Sequence, residues 1–229
     1  MAPATKVLFA GPTGVTLLTE VQSLVQDGLA VTVGDNPNGQ DALLKLADPA
    51  QPAAMAIATS AAIGTVINVL DGGLIPGITS AQLGVGPMPG PGDVASATVG
   101  GASLYIVSDK GDPAAAAAWD FIKFLTTAQS QSTWASETGY VPIRQDALDL
   151  EPLKSTYVND PRFKVPYDQL LAGRDDLSAV GPVIGPLRQV RATTAGAVAS
   201  IFGGADVQAS LTAAAQQSDA LIGQYNALN

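Results

Sequence analysis

Residues Gly100–Arg144 read GGASLYIVSDKGDPAAAAAWDFIKFLTTAQSQSTWASETGYVPIR. A glycine pair leads into Ser103–Val107, an apolar run of strand length. A turn follows at Asp109–Asp112, and a helix is predicted from Pro113. Asp112 is the expected N-cap, and proline is tolerated at the first helical position. Ala118, Phe121, Ile122 and Leu125 fall at i, i+3, i+4 and i+7, so one face is apolar. Thr126 with Gln129 has the form of a capping box opening a second short helix. Gly139 closes that helix, because glycine enters the left-handed region without a steric penalty.

Before this stretch, the pattern predicts strands at Lys6–Phe9, Ala53–Ala58 and Gln82–Val85. Helices are predicted at Thr13–Asp27, at Gln40–Ala47, and around Ile63, Val66, Ile67 and Leu70. Asn36–Gly39 is a turn cluster, and Asp48-Pro49 ends a helix. Gly86–Gly92, GPMPGPG, is a stiff loop, since alternating proline and glycine oppose both helix and ladder. After Arg144 the spacing predicts helices at Glu151–Val158 and Tyr167–Leu171, with a stop at Asn159-Asp160-Pro161. A stiff GPVIGP loop, Gly181–Pro186, then opens a longer helix. Its buried stripe is Leu187, Val190, Thr194, Ala197 and Ile201, and Gly203-Gly204 ends it. Asp206 caps a last helix with Val207, Leu211, Ala215, Ser218, Ile222 and Tyr225 on one face. Strands alternating with helices indicate an α/β class.

Composition narrows the chemistry. The 229 residues carry a net charge of −9, which argues against nucleic acid as a partner, where phosphates demand a basic patch. There is no histidine and no cysteine. A Ser-His-Asp triad, histidine-ligated zinc and a thiolate nucleophile are therefore excluded. Neither a metal nor a cofactor is expected. The first residues, MAPATKVLFAGPTGV, lack the form of a signal peptide, and no segment approaches the ~18 apolar residues of a membrane span. GPTG at Gly11–Gly14 is too short for a phosphate-binding loop and lacks its lysine.

GGASLYIV, AAAWDFIKFLT and WASETGYVPIR, in that order, resemble the C-terminal part of extracellular solute-binding proteins of ABC importers (family 1). The resemblance is strongest to the branch that binds glycerol-3-phosphate and glycerophosphodiesters. It runs over nearly the whole chain and corresponds to about the later half of a family member. It implies a truncated, helix-rich C-terminal portion of a type II periplasmic-binding-protein-like fold. Residues 1–85 are then an α/β segment, 86–99 a Pro/Gly-rich connection whose Gly86–Gly92 loop is suited to a hinge, and 100–229 a C-terminal strand and helical segment. It also implies an extracytoplasmic monomer that delivers a small molecule to the transmembrane subunits of an ABC permease. Family members are exported behind a signal or lipoprotein sequence, so this chain is expected to start mid-protein.

Five residues are candidates for ligand contact. Ser60, at a strand-to-helix junction, serves either as an N-cap or as a hydroxyl at a helix N-terminus facing ligand. Gly100 and Gly101 mark either close backbone packing or a place where ligand approaches backbone N–H groups. The family resemblance favours Gly101, with Gly100 close behind. Tyr140 is either a half-buried packing residue or, by resemblance of TGYVP, a cleft tyrosine. Arg191 stands one step from its helix's buried stripe. By itself it reads as a surface arginine; by resemblance it binds a ligand phosphate, with Arg188 as the competing choice. AMAIATS before Ser60 lacks the tryptophan common in sugar-binding members, which favours a small polar or phosphorylated ligand. Trp119 and Trp134 are expected in or at the edge of the core, and Asp175-Asp176 is expected to be solvated.

Three functions are compatible with these residues. The first is solute capture for an importer, with glycerol-3-phosphate or a glycerophosphodiester ahead of a carbohydrate. The second is a hydrolase or transferase built on carboxylates or Ser-Lys, for which no supporting motif exists. The third is a truncated product with half a cleft, marked by exposed apolar surface.

Overall fold

The computed structural model describes residues 4–34, 41–48, 50–73, 75–90, 97–173 and 181–229. The α-helices are α1 (Pro12–Gln26), α2 (Asp41–Leu44), α3 (Ile63–Asp71), α4 (Asp112–Leu125), α5 (Ala128–Thr138), α6 (Leu153–Asn159), α7 (Val165–Ala172), α8 (Leu187–Phe202) and α9 (Val207–Leu228). The chain forms two compact units, one of Met1–Ala56 with Gly181–Asn229 and one of Ile57–Val180. The Asn36–Gly39 turn, the Asp175-Asp176 pair, Gln40, Pro49 and residues 91–96 of the Pro/Gly-rich connection lie outside the described residues.

The first unit is built from α1, α2, α8 and α9. The stripe of α9 buries Val207, Leu211, Ala214, Ser218 and Ile222, a 3.6-residue repeat of small and aliphatic side chains. Asp206 opens the helix by accepting a hydrogen bond from the Ala209 N–H at 2.7 Å. Ile201, Val207 and Leu211 form the core, with Phe9, Ala10, Val15, Leu18 and Phe202 packed around them. Gln22 of α1 donates to the carbonyls of Ile201 at 2.6 Å and Ala205 at 2.8 Å. It thus ties α1 to the end of α8 and to the turn that follows. Two further bonds tie residues near the start of the chain to α9. The Val7 N–H donates to the Asp219 carboxylate at 2.7 Å, and Asn226 donates to the Ala4 carbonyl at 2.8 Å.

The second unit centres on Ile63, Ala135, Leu153, Tyr157, Phe163 and Tyr167, with Ile67, Val85, Val141 and Leu148 against them. Ser132 is wholly buried and links two helices: its hydroxyl donates to the Leu150 carbonyl at 3.0 Å and accepts from the Leu153 N–H at 3.1 Å. Arg162 grips the Asp160 carboxylate through Nε at 2.7 Å and Nη2 at 2.6 Å. It also reaches the carbonyls of Ser80 and Leu83, holding the 80–83 turn to the segment between α6 and α7. That guanidinium keeps the Asp160 carboxyl below its ordinary range.

The helices follow the sequence periodicity closely, but their caps shift by a residue. Gly111, with φ +83°, is the N-cap of α4, and Asp112 lies inside the first turn. Thr127 rather than Thr126 caps α5, accepting from the Ser130 N–H at 3.2 Å. Thr126 instead turns its hydroxyl back onto the Ile122 carbonyl. Gly139 does end α5, with φ +90° and ψ 7°.

The expected α/β class needs a correction: no strand occurs among the described residues. Segments 6–8, 53–58 and 103–107 are not helical, yet a strand is defined by its pairing, and these have no ladder partner. Side chains and turns take the partner's place where the backbone is satisfied. Val7 uses Asp219, and Ala53 donates to the Lys45 carbonyl at 2.7 Å. Met88 exchanges two 2.9 Å bonds with the Gln169 amide. Gln82–Val85 departs further, because Ser80–Gln82 is a 3₁₀ turn closed by the Thr79–Gln82 capping box.

Candidate functional site

In the second unit, two glycines set the junction between α3 and the end of α5. A Cβ on Gly64 would run into the Glu137 carbonyl, and a Cβ on Gly139 would run into the Ser60 carbonyl and lie 3.0 Å from the Ile63 Cβ. Backbone therefore meets backbone at both ends of the contact, an approach only glycine permits. The result brings Ser60 beside the turn that carries Tyr140.

Ser60 is half-buried and is the first residue of a 3₁₀ turn, Ser60–Ala62, that runs directly into α3. It is not the N-cap. Thr59 has that role, its side chain accepting from the Ala61 N–H at 3.4 Å. Among the described residues the Ser60 hydroxyl makes no hydrogen bond, so it is left available.

Tyr140 is 42% exposed, and its N–H donates to Thr138 Oγ1 at 3.2 Å. Its ring stands 6.0 Å from the Trp134 ring, at an interplanar angle of 53°, within the favourable range for tilted aromatic pairs. Trp134 is 55% exposed and Trp119 is 53% exposed, so neither is a core residue. The cause on α5 is the register: Ser132 and Ala135 take the buried positions, and Trp134 falls outside them. The left-handed turn at Gly139 then folds Tyr140 back toward it.

Beside this junction is a cavity of about 350 Å³ lined by Gly64, Ile67, Asn68, Ser136, Glu137 and Phe163. It offers an amide, a hydroxyl and a carboxylate beside Ile67 and Phe163. Sequence reasoning did not single out Asn68, Ser136 or Glu137. The available signal was the pair of glycines, Gly64 inside a helical pattern and Gly139 after one, which mark a close crossing.

Gly100 and Gly101 have nothing within 4 Å of where a Cβ would stand. Close backbone packing therefore does not account for them, and with no strand among the described residues neither does a bulge. Their backbone is open, and it is not brought against Ser60 or Tyr140 by any recorded bond.

Arg191 belongs to the first unit. With Arg188 and Leu187 it lines an open depression of about 380 Å³ at the start of α8. Both guanidiniums are exposed, they lie three residues apart on one face, and no acidic residue occupies the first turn of α8. Neither has a carboxylate partner among the described residues. Two cations near the positive end of a helix dipole repel it as well as each other. Both repulsions are relieved by an anion, which a planar guanidinium can hold with two parallel bonds. The preceding loop is fixed by Gly185, where a Cβ would enter the Tyr225 ring.

Among the described residues, no group of three or more His, Asp or Glu side chains is arranged to hold a metal, and no helix is long and apolar enough to cross a membrane.

The profile of a family described as bacterial extracellular solute-binding protein matches residues 2–165. The sn-glycerol-3-phosphate-binding periplasmic protein UgpB of Pectobacterium atrosepticum is 25% identical over 172 residues, covering 73% of this chain and 37% of that protein. The protein of the same name from Yersinia enterocolitica is 27% identical over 151 residues, covering 64% of this chain and 34% of the relative. Among solved structures, UgpB from Mycobacterium tuberculosis in complex with glycerophosphocholine superposes with a TM-score of 0.74 at 22% identity. That match covers 95% of this chain and 50% of the other, so the helices described here follow a periplasmic-binding-protein fold. The chain spans under two fifths of the length of these curated relatives. With the family profile matching well over half of its residues, the chain belongs to the bacterial extracellular solute-binding proteins.

Proposed function

We propose that this chain contributes to the solute site of an ABC importer's binding protein, and that the solute is a small glycerophosphate-type molecule. The observation that carries this reading is the pair Arg188 and Arg191 on the first turns of α8, without a carboxylate partner among the described residues. A phosphate monoester or diester is the ligand chemistry that such a pair serves. Arg191 is the proposed phosphate ligand. In the second unit, Ser60 offers a hydroxyl, Tyr140 a ring and hydroxyl, and Gly100 and Gly101 open backbone N–H groups. The chemistry required is hydrogen bonding and hinge closure, with no covalent step. Extracytoplasmic delivery to a permease follows from the family role. The ligands for which the relatives are named or with which they were solved, sn-glycerol-3-phosphate and glycerophosphocholine, support this class.

A carbohydrate is the second reading, and the exposed Trp134–Tyr140 pair favours it, since sugars stack on such rings. Thermal melts with glycerol-3-phosphate, glycerophosphocholine and maltooligosaccharides separate the two. A ligand that binds only the native state adds ~2.7 kcal/mol of stability at a hundred times its Kd. A midpoint raised by the glycerophosphates alone is the expected outcome. A rise with oligosaccharides alone replaces the first reading by the second. A cooperative melt that none of these moves points to the third reading, a chain carrying half a cleft.

A further inference from the structure

The cavity at the crossing of α3 and α5 has no part in the phosphate chemistry of Arg188 and Arg191. It lies wholly within the second unit. Its walls are set by main chain, because Gly64 of α3 meets the Glu137 carbonyl of α5 where a Cβ would not fit. Asn68 from α3 and Ser136 and Glu137 from α5 line it, beside Ile67 and the buried Phe163. At about 350 Å³ it falls in the lower range of small-ligand sites.

Each of the three polar side chains keeps an acceptor free. The Ser136 hydroxyl donates to the Thr133 carbonyl at 2.9 Å, so its lone pairs remain. Among the described residues, the Glu137 carboxylate has no cationic partner. Neither that carboxylate nor the Asn68 side-chain amide has a hydrogen bond there. The cations that flank Phe163 are committed elsewhere, Arg162 to Asp160 and Lys164 to Asp168. Glu137 also stands in the last turn of α5, which holds no basic residue. A carboxylate in that position is disfavoured by the negative end of the helix dipole, and a bound cation relieves both charges.

This pattern selects among ligands. An anion is repelled by Glu137. A divalent cation such as calcium wants six or more oxygens, and among the described residues no group of three or more His, Asp or Glu side chains is gathered for one. A quaternary ammonium has the charge but no N–H to satisfy the acceptors. A primary ammonium has one positive charge and three N–H donors, one for each of the three side chains. Its alkyl stem then runs along Ile67 and Phe163, as lysine stems do over apolar surface. We infer that the Asn68–Ser136–Glu137 cavity is a separate ligand site, which takes the primary ammonium group of a small amine.

The test is a matched series in amine-free buffer at constant ionic strength: ethanolamine, choline and ethylene glycol. All three carry a hydroxyethyl group and differ only in the head. Backbone amide shifts of the 229-residue chain are followed by NMR. Ethanolamine is expected to shift Gly64, Asn68, Ser136 and Glu137 saturably, while choline and ethylene glycol leave them in place. Glu137→Gln keeps the shape and removes the charge. It is expected to weaken ethanolamine by about tenfold and to leave the thermal melt unchanged, because the carboxylate holds nothing in the folded chain. Ser136→Ala removes a second acceptor and is expected to weaken ethanolamine by about threefold to tenfold. Four results overturn the inference: no saturable shift with ethanolamine, equal shifts with choline, equal shifts with ethylene glycol, or ethanolamine binding that survives both substitutions. None of these outcomes bears on the glycerophosphate reading, which rests on the guanidiniums of α8.

Discussion

The bare Cα of Gly139 lies against the main-chain carbonyl of Ser60, so the left-handed end of one helix is keyed to the first turn of another. Gly139→Ala adds a methyl group where that carbonyl stands, at a φ of +90° that side chains resist. The expected loss is about 1–3 kcal/mol, read as a lower urea midpoint with an unchanged m-value. An unchanged midpoint would mean that the two backbones are not in contact.

Ser132 supplies two of the bonds that join α5 to the start of α6, and Gln129 supplies another by donating to the Glu151 carbonyl at 2.7 Å. Ser132→Ala leaves the buried Leu153 N–H without that partner, while the Leu150 carbonyl keeps its bond from the Lys154 N–H. The expected cost is about 1–3 kcal/mol, visible in the same denaturation experiment. A loss below that range would place water at the site.

Burial pushes the Tyr157 hydroxyl up to about 12, with smaller contributions from Tyr167 and Asp168. Its unfolded value is near 10. A group raised on folding contributes stability that is complete below the unfolded value and lost as pH climbs to the folded one. Stability is therefore expected to fall between about pH 10 and 12, and Tyr157→Phe should flatten that part of the curve. Equal slopes for the two proteins would remove Tyr157 as the cause.

Arg191→Ala is expected to weaken binding of glycerol-3-phosphate by about 2–5 kcal/mol if the ion pair is desolvated. Arg188→Ala, measured beside it by calorimetry, ranks the two guanidiniums. Equal affinity in both variants and the parent would take the start of α8 out of the binding site.

Tyr140→Ala is expected to lower affinity for phosphorylated and unphosphorylated ligands alike, because a ring covers a ligand whatever its charge. Loss confined to oligosaccharides would assign the Trp134–Tyr140 pair to sugars.

The helices were legible because their signals are local. The stripe of α9, the Asp206 cap and the Gly139 stop all lie within a few residues of what they control. Caps at Asp112 and Thr126 missed by one residue, since Gly111 and Thr127 compete for the same turn and only the backbone angles decide. Strands were over-read for the opposite reason. Ser103–Val107 has strand composition, but a ladder depends on a second segment that no local pattern reveals. The site was legible in parts. Ser60 and Tyr140 were named separately, whereas their meeting depends on a contact between residues 79 positions apart. Trp134 is expected in or at the edge of the core because aromatic spacing on a helix resembles burial, and the buried positions of α5 go to Ser132 and Ala135 instead.

The bonds from Val7 to Asp219 and from Asn226 to Ala4 have a consequence for biosynthesis. The unit of Met1–Ala56 and Gly181–Asn229 is discontinuous, while the unit of Ile57–Val180 is one unbroken stretch. On a ribosome the inner stretch emerges whole and can collapse first. The earlier residues, α1 among them, must wait with Phe9, Val15 and Leu18 uncovered until α9 is released. A protease or chaperone meeting the growing chain therefore finds the apolar face of α1 open for as long as α9 is unmade.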